Sequence, residues 1–526
     1  MPVFRGGASA PGSIGVSSRG GRDVPTDAVA LQPLGVRSPV MTRILVRAGK
    51  HPTTVLSHEQ SLATSRLGVF GSNSGNMLFY SAVFRVLSVP DAELVANSYV
   101  HERPVHLGRY VDRTNEEFDR FVLPMANSYR DTFLPHLERL AKVIEKLTIP
   151  VTVVGIGAQL PYGTEFDSLP DEYKRIVTRF TRAVLDRSAS IGVRGEYTAR
   201  MLKYLGFGDE HVRVIGCPSM FGNGPLGPLV RKVNYLTPDS PLAISYTPKV
   251  KGVDRLVEAN TNRYPNSVIV PQQHHRLALM LWGENPAKVG NKRMPIHTEH
   301  PLYENDRMRF FVDASTWVEF MAEQHFAFGT RIHGNVAAVL AGTPAVVLAH
   351  DSRTVELAEY HGIPYRLYAD LPPDVDAQQL YQEADFDTFA PRQAPTFETY
   401  LRFLEHNDLE HVFQPGKENP AYDQALAAAK FPGPVHTLMA SDTVGRRQVM
   451  SRLRWLRQGH EGDLARPAYD FEPPFREPRG QQASLEERVT QLEKELKVQQ
   501  NFLASWRGRV SRVLRMNGSG TPGVRR

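Results

Sequence analysis

Apolar residues recur along the middle of this chain with two different spacings. Short runs of β-branched and other apolar residues are typical of buried strands, whereas apolar residues at every third or fourth position are typical of amphipathic helices. The two patterns alternate from residue 44 onward. Strands are predicted at 67–70, 151–156, 190–193, 212–215, 242–246, 268–271, 325–328 and 345–348, and helices at 133–147, 171–185, 196–205, 315–322 and 335–341.

This alternation indicates an α/β fold with parallel sheets that are covered by helices on both faces. It pauses between residues 217 and 240, where glycine and proline are frequent, and a new strand begins at residue 242. We therefore predict two Rossmann-like domains, over 41–235 and 240–415. Two such sheets joined by one linker predict a cleft between the carboxyl ends of their strands.

Both ends of the chain depart from this pattern. Residues 1–40 are rich in Gly, Ser, Pro and Val without periodicity, so we predict that they are disordered. Residues 416–480 are predicted to form a helical, proline-rich linker. Over 481–515 apolar residues recur at alternating steps of four and three, which predicts a coiled-coil helix or a helix that packs on the body. The upstream prolines favour a detached helix, and hence a homo-oligomer that this helix holds together.

The composition is that of a globular protein, with 41% hydrophobic and 22% charged residues among 526. The single cysteine, Cys217, excludes an intramolecular disulfide and a cysteine-cluster metal site. The sequence contains no run of about 18 apolar residues, so no transmembrane helix is predicted. The first residues also lack the apolar stretch of a secretory signal. We therefore expect a cytoplasmic protein without a bound metal.

The net charge of +6 is concentrated at the two ends. Residues 1–50 contain 7 basic and 2 acidic residues, and residues 441–526 contain 17 and 10, so the body between them is mildly acidic. A basic end can contact nucleic acid, anionic lipid or an acidic glycan, but the charge pattern favours a solvated tail. We predict no nucleic-acid partner and leave open a peripheral contact with a membrane.

The stretch 328–335, Phe-Gly-Thr-Arg-Ile-His-Gly-Asn, combines candidate chemistry with a predicted turn. A strand that ends at Phe328 and a helix that begins near Gly334 place Arg331 and His333 at a helix N-terminus, where free backbone N–H groups favour an anion. Arginine adds a planar, two-pronged donor, and histidine can exchange a proton near neutral pH. The pattern indicates a site for phosphate or carboxylate, and the alternative is an ordinary turn with structural side chains.

The stretch 330–344, with its Arg-Ile-His-Gly core and Ala-Gly-Thr-Pro ending, resembles the signature of the polysaccharide pyruvyl transferase family, whose core usually contains Arg-Leu-His. The resemblance extends forward to 351–364. It also extends back to the strand-Arg-helix element at Arg194, to the glycine-rich segment 153–159 and to the first Gly-Asn loop at 71–76. The region of resemblance, 65–365, is well over half of the chain.

The resemblance implies a GT-B-like fold and the transfer of pyruvate from phosphoenolpyruvate to a sugar of a cell-surface polysaccharide or its precursor. Phosphate is released, and a pyruvate ketal bridges two hydroxyls. The resemblance also implies that Arg194, Arg331 and His333 form the phosphoenolpyruvate site. Addition of a sugar hydroxyl at C2 requires a proton at C3, and His333 is the candidate acid. Phosphoenolpyruvate would be the donor substrate, and no cofactor is implied. Two arginines suit its neighbouring carboxylate and phosphate.

The resemblance does not directly identify the residues that would bind the acceptor. Asn76 stands where the family often has aspartate, and Cys217-Pro218 stands where Asp-Pro is common. The acceptor, a free glycan or a lipid-linked sugar, stays open. The candidates for substrate binding that loop position suggests are Asn73, Asn76, Gln159, His274 and Asp351.

Two other functions share parts of this pattern. A nucleotide-sugar-dependent GT-B glycosyltransferase has the same two-domain cleft, although an Arg-Ile-His turn is atypical for it. A non-catalytic scaffold for glycan assembly could combine a decayed transferase domain with the C-terminal helix. The presence of all three donor-site residues favours the transferase.

Overall fold

The computed structural model describes residues 41–64, 69–71, 73–99, 101, 107–283 and 293–461. The predicted disordered segment 1–40, the predicted coiled-coil helix over 481–515 and the last part of the predicted linker lie outside these residues. The homo-oligomer expected from that helix therefore stays a prediction. Within the described residues, every helix is too short or too polar to cross a membrane.

The N-terminal sheet has four parallel strands in the order β2-β1-β3-β4. A parallel pair of strands, β5 and β6, adjoins β4 through backbone hydrogen bonds that Gly155 and Ile156 donate to Gly192. The strands are β1 Thr42–Val46, β2 Ala92–Ala96, β3 Arg120–Pro124, β4 Val151–Val154, β5 Ile191–Val193 and β6 Val212–Val214. The helices are α1 His58–Thr64, α2 Asn76–Leu87, α3 Leu107–Glu117, α4 Leu134–Ile144, α5 Asp171–Leu185 and α6 Glu196–Tyr204.

The C-terminal sheet has five parallel strands in the order β11-β10-β9-β7-β8. The strands are β7 Leu242–Ile244, β8 Val268–Ile269, β9 Phe326–Gly329, β10 Ala345–Ala349 and β11 Tyr365–Leu367. The helices around it are α7 Val253–Arg263, α8 His274–Trp282, α9 Pro301–Glu304, α10 Ala314–Ala322, α11 Ile332–Leu340, α12 Ser352–His361 and α13 Ala377–Glu383. Three helices follow, namely α14 Ala390–His406, α15 Pro420–Ala428 and α16 Thr443–Glu461.

One hydrophobic core connects the two sheets. Val46 of β1 and Val83 of α2 belong to the same cluster of buried side chains as Val336 of α11 and Val347 of β10. The next residue along β1, Leu45, belongs to a second cluster with the helices α4 and α5, because neighbouring side chains of a strand point to opposite faces. The shared core holds the carboxyl ends of β4 and β5 near those of β9 and β10, where the candidate site lies.

The predicted α/β fold with parallel sheets is confirmed, and every strand predicted from residue 151 onward coincides with a strand of the structure. The predicted strand at 67–70 is wrong in its described part, because Val69 and Phe70 are buried in an irregular segment before α2. The apolar pattern misses β1, β2, β3 and β11, whose short runs include charged residues such as Arg43 and Glu93. Those strands depend on pairing between distant segments.

Candidate functional site

Arg194 follows β5, and its side chain is fully buried. Its Nε donates a hydrogen bond of 2.7 Å to the carbonyl oxygen of Gly155, which follows β4. Nη1 and Nη2 are also buried, and neither has a hydrogen-bond partner in the described part of the chain. The backbone thus holds one nitrogen of the guanidinium, while the other two keep unpaired N–H groups.

The turn between β9 and α11 is tighter than the sequence predicts. The helix begins at Ile332 rather than near Gly334, because the N–H of Gly334 already bonds the carbonyl oxygen of Arg331 at 3.2 Å. Arg331 is therefore the N-cap residue, and His333 lies inside the first helical turn. The predicted placement of both residues at a helix N-terminus still holds.

Arg331 is held by a residue that follows β8, two strands away from β9 in the same sheet. Its Nε donates a hydrogen bond of 3.2 Å to Oε1 of Gln272, which follows β8. Burial and the positive charges of Arg353 and Arg130 lower the pKa of Arg331 to about 10. At neutral pH the side chain therefore keeps its charge, although its surroundings disfavour it.

His333 is buried, and neither of its ring nitrogens has a hydrogen-bond partner among the described residues. Burial, followed by the charges of Arg331, Arg194 and Arg353, places the pKa of His333 well below its usual value of 6.5. The imidazole is therefore neutral at neutral pH in the protein alone. A negative charge beside it would reverse this effect.

The first Gly-Asn loop packs directly on His333. A Cβ atom at Gly75 would overlap Nδ1 of His333, so only glycine allows the loop to lie this close. The ring of Phe79, one turn along α2, has its centroid 6.5 Å from that of His333 and 5.8 Å from Cζ of Arg194. The loop and α2 thus cover the ring of His333 and one arginine from the side of the N-terminal sheet.

Arg353 joins the site from the next strand–helix unit. It lies in the first turn of α12, is buried, and donates from Nη2 to Oδ2 of Asp351 at 3.3 Å. Its Nε has no partner within the described residues. The sequence pattern suggested only a substrate-binding role for this loop, through Asp351, and did not point to Arg353 as a cation of this site. The rule that pointed to Arg331, a cation where a parallel strand gives way to a helix, also applies here.

We call Arg194, Arg331 and Arg353 the arginine cluster, since the charges of all three lower the pKa of His333. Within the described residues, no group of His, Cys, Asp and Glu is arranged to hold a metal ion. A cluster of cations with unpaired donors beside a helix N-terminus suits a ligand with two acidic groups.

Glu356 is a carboxylate beside this cluster that sequence reasoning missed. It extends from α12 to the N-terminus of α6, where it accepts hydrogen bonds from the backbone N–H of Thr198 at 3.0 Å and from its Oγ1 at 2.8 Å. Burial raises the pKa of Glu356 to about 7, although Thr198 and Arg194 act in the opposite direction. Glu356 therefore connects helices of the two sheets through a group that titrates near neutral pH.

Gln159 and Asp351 meet, as two of the substrate-binding candidates. Nε2 of Gln159 donates to Oδ2 of Asp351 at 3.1 Å, and Oε1 of Gln159 accepts from Asn127. Asp351 also caps α12 by accepting from the N–H of Thr354 at 2.9 Å. The pair joins the loop after β4 to the loop after β10, and its predicted role in substrate binding stays a prediction.

The other three candidates have different surroundings. Oδ1 of Asn73 accepts from the N–H of Gly75 at 3.0 Å, and Nδ2 of Asn76 donates to the carbonyl oxygen of Phe70 at 2.9 Å. Both amides thus shape the loop that covers His333. His274 is exposed at the start of α8, and its ring meets that of His275 at 5.7 Å.

The region from residue 73 to residue 352, more than half of the chain, matches the model of a family described as polysaccharide pyruvyl transferase. No curated protein matches the chain.

Several solved structures are similar in fold at low identity. Staphylococcus aureus MnaA with UDP has 13% identity and a TM-score of 0.34, and the match covers 70% of this chain and 96% of that one. Methanocaldococcus jannaschii UDP-GlcNAc 2-epimerase, in complex with UDP-GlcNAc and UDP, has 11% identity and a TM-score of 0.36, with coverage of 69% and 100%. Anabaena Alr3699/HepE, in complex with UDP and glucose, has 12% identity and a TM-score of 0.32, with coverage of 70% and 96%. At these scores the similarity carries no argument about the ligand of this chain.

Proposed function

The chain belongs to the polysaccharide pyruvyl transferase family, and we propose on that premise that it moves pyruvate from phosphoenolpyruvate onto a sugar of a cell-surface polysaccharide or its precursor. The observation that carries the proposal is the arginine cluster, in which Arg194 and Arg353 keep buried nitrogens without a partner in the described residues. Phosphoenolpyruvate presents a carboxylate and a phosphate close together, so it can pair with several guanidinium groups at once. We place this reaction in the cytoplasm.

The proposed reaction forms two C–O bonds at C2 of the enolpyruvyl group. The oxygen of one sugar hydroxyl adds to C2 while C3 accepts a proton and becomes a methyl group. The oxygen of a second hydroxyl then displaces phosphate from C2, which closes the ketal. Of the two protons that leave the hydroxyls, one balances the proton gained at C3 and the other leaves with the phosphate or to solvent. The protein must therefore neutralise an anion and supply a proton at C3.

His333 is the proposed proton donor, and its neutrality in the protein alone fits this role. A bound phosphoenolpyruvate brings negative charge next to the ring and screens it from the three arginines. Both effects favour the imidazolium form, so the pKa of His333 rises when the donor binds. His333 then holds a proton only when there is a substrate to receive it.

A single assay tests the function. The purified full chain is incubated with a panel of glycan acceptors and, in parallel reactions, with phosphoenolpyruvate or with a nucleotide sugar as the donor. Released phosphate, the methyl signal of the ketal by NMR and consumption of the nucleotide sugar are measured. We expect phosphate and ketal in equal amounts with at least one acceptor. Consumption of a nucleotide sugar instead would support the glycosyltransferase alternative, and no turnover of either donor with any acceptor would support the scaffold.

A further inference from the structure

Helix α16 rests on the body by one narrow face. Gln448 accepts a hydrogen bond from the N–H of His436 at 3.3 Å and donates one to the carbonyl oxygen of Pro434 at 3.1 Å. Arg452, one turn later, donates to Gln448 at 3.2 Å, and the ring of Trp455 lies 5.9 Å from that of Trp282. The spacing of these residues by three and four identifies one face of the helix as the attached face.

The opposite face combines exposed apolar side chains with arginines. The exposed fractions are 38% for Val449, 56% for Met450, 53% for Leu453 and 46% for Leu456. Arg446, Arg447 and Arg454 are exposed on the same side of the helix, and the sequence from Thr443 to Leu456 contains no acidic residue. We call these seven exposed residues the α16 face.

We propose that the α16 face docks on an anionic lipid surface. A helix with arginines beside exposed apolar side chains suits the interface of a membrane, where the apolar side chains enter the acyl boundary and the arginines contact headgroup phosphates. The proposal concerns attachment to the surface of a membrane and rests on residues that take no part in the proposed reaction.

Charge favours lipid over the other possible occupants of this face. A second copy of the chain that docked through the same face would bring the same arginines against each other, which is repulsive. The chain beyond α16 is also basic in sequence, with 12 basic and 8 acidic residues over 462–526, and its arginines at 507, 509, 512 and 515 stand among apolar residues as they do in α16. Anionic headgroups are the occupant with opposite charge.

Co-sedimentation of the full chain with lipid vesicles tests the proposal. The vesicles are made of phosphatidylcholine alone or of a two-to-one mixture of phosphatidylcholine and phosphatidylglycerol. We expect binding to the mixed vesicles, little binding to the neutral ones, and weaker binding as the salt concentration rises. The triple variant Arg446→Gln/Arg447→Gln/Arg454→Gln and the double variant Met450→Ser/Leu453→Ser should each weaken binding by about tenfold or more.

Matched controls separate this face from a general effect of charge or hydrophobicity. Val230→Ser/Tyr235→Ser removes apolar side chains that are 61% and 68% exposed elsewhere, and Arg175→Gln/Lys203→Gln/Arg213→Gln removes three exposed charges. Both controls should bind as the wild type does, and all variants should keep the wild-type thermal midpoint. Wild-type lipid binding in the α16 variants, or no binding by the wild type, would overturn the proposal. So would a lower mass of those variants by light scattering with unchanged lipid binding, since a second copy would then cover the face.

Discussion

The charge of Arg194 is unfavourable in the protein alone, because the side chain is fully buried and two of its nitrogens have no hydrogen-bond partner among the described residues. Burial, together with the positive charge of Arg353, lowers the pKa of Arg194. A bound dianion would relieve both effects, since it supplies hydrogen-bond acceptors and opposite charge. The side chains of the site therefore favour ligand binding at the expense of stability.

Replacing Arg331 by lysine tests the geometry of the cluster. Arg331→Lys keeps one charge but loses the fork of two N–H groups and the hydrogen bond from Nε to Gln272. We expect phosphoenolpyruvate to bind at least tenfold more weakly, about 1.4 kcal/mol, by isothermal titration calorimetry. Arg182→Lys, at an exposed position of α5, is the control and should bind normally. Unchanged affinity in Arg331→Lys would exclude this residue from the site.

The pKa of His333 predicts that the protein takes up a proton when the donor binds. The pKa starts well below 6.5 and rises on binding, so the affinity should strengthen as the pH falls. Calorimetry in buffers of different ionisation enthalpy measures this uptake. His333→Gln should reduce it and lower turnover by roughly 100-fold, whereas the exposed control His406→Gln should change neither. Equal uptake by the wild type and His333→Gln would assign the proton to another group.

The close packing of the Gly-Asn loop on His333 predicts that a larger residue at Gly75 lowers both stability and turnover. Gly75 has φ −60° and ψ −20°, which alanine adopts without backbone strain. Gly75→Ala therefore acts only through the overlap of its Cβ with the ring of His333. We expect a loss of stability of about 1–3 kcal/mol from overpacking and a lower turnover, because the ring must move. Gly227→Ala, where a Cβ meets open space, is the control. Wild-type turnover in Gly75→Ala would show that the position of the ring does not matter.

The link between α12 and α6 predicts a pH dependence of stability. The pKa of Glu356 is about 7 in the folded chain against 4.5 as the ordinary value, so the unfolded chain releases its proton first. The contribution of Glu356 to stability is therefore full below about pH 4.5 and is lost as the pH rises through about 7. The free energy of unfolding of Glu356→Gln should not show this loss. Relative to the wild type it should increase by up to ~3 kcal/mol between about pH 4.5 and 7. Denaturant unfolding across this pH range checks it, and a constant difference between the two proteins would contradict it.

Local pattern explains which elements could be predicted. Arg331 and His333 lie within one strand–turn–helix unit, so their spacing already placed them at a helix N-terminus. Arg353 lies in an equivalent turn and could have been found by the same rule. Glu356 could not, because its partner Thr198 is 158 residues away and its pKa depends on tertiary burial. The strands β1 to β3 were missed for a similar reason, since only pairing with distant segments makes them strands.

At the scale of the whole molecule, the site depends on the meeting of two sheets. Arg194 comes from the N-terminal sheet and Arg331 and Arg353 come from the C-terminal one, while the bonds from Gln159 to Asp351 and from Thr198 to Glu356 cross between them. The shared hydrophobic core fixes this arrangement before any ligand binds. We therefore expect one binding site whose affinity needs both halves of the chain.

The most direct measurement of this central claim is calorimetric titration of the full chain with phosphoenolpyruvate, inorganic phosphate and pyruvate in turn. If the arginine cluster holds a carboxylate and a phosphate together, phosphoenolpyruvate binds at least tenfold more tightly than either of the other two, because only it engages the whole cluster. Binding of phosphoenolpyruvate no tighter than that of phosphate, or none at all, would contradict the claim.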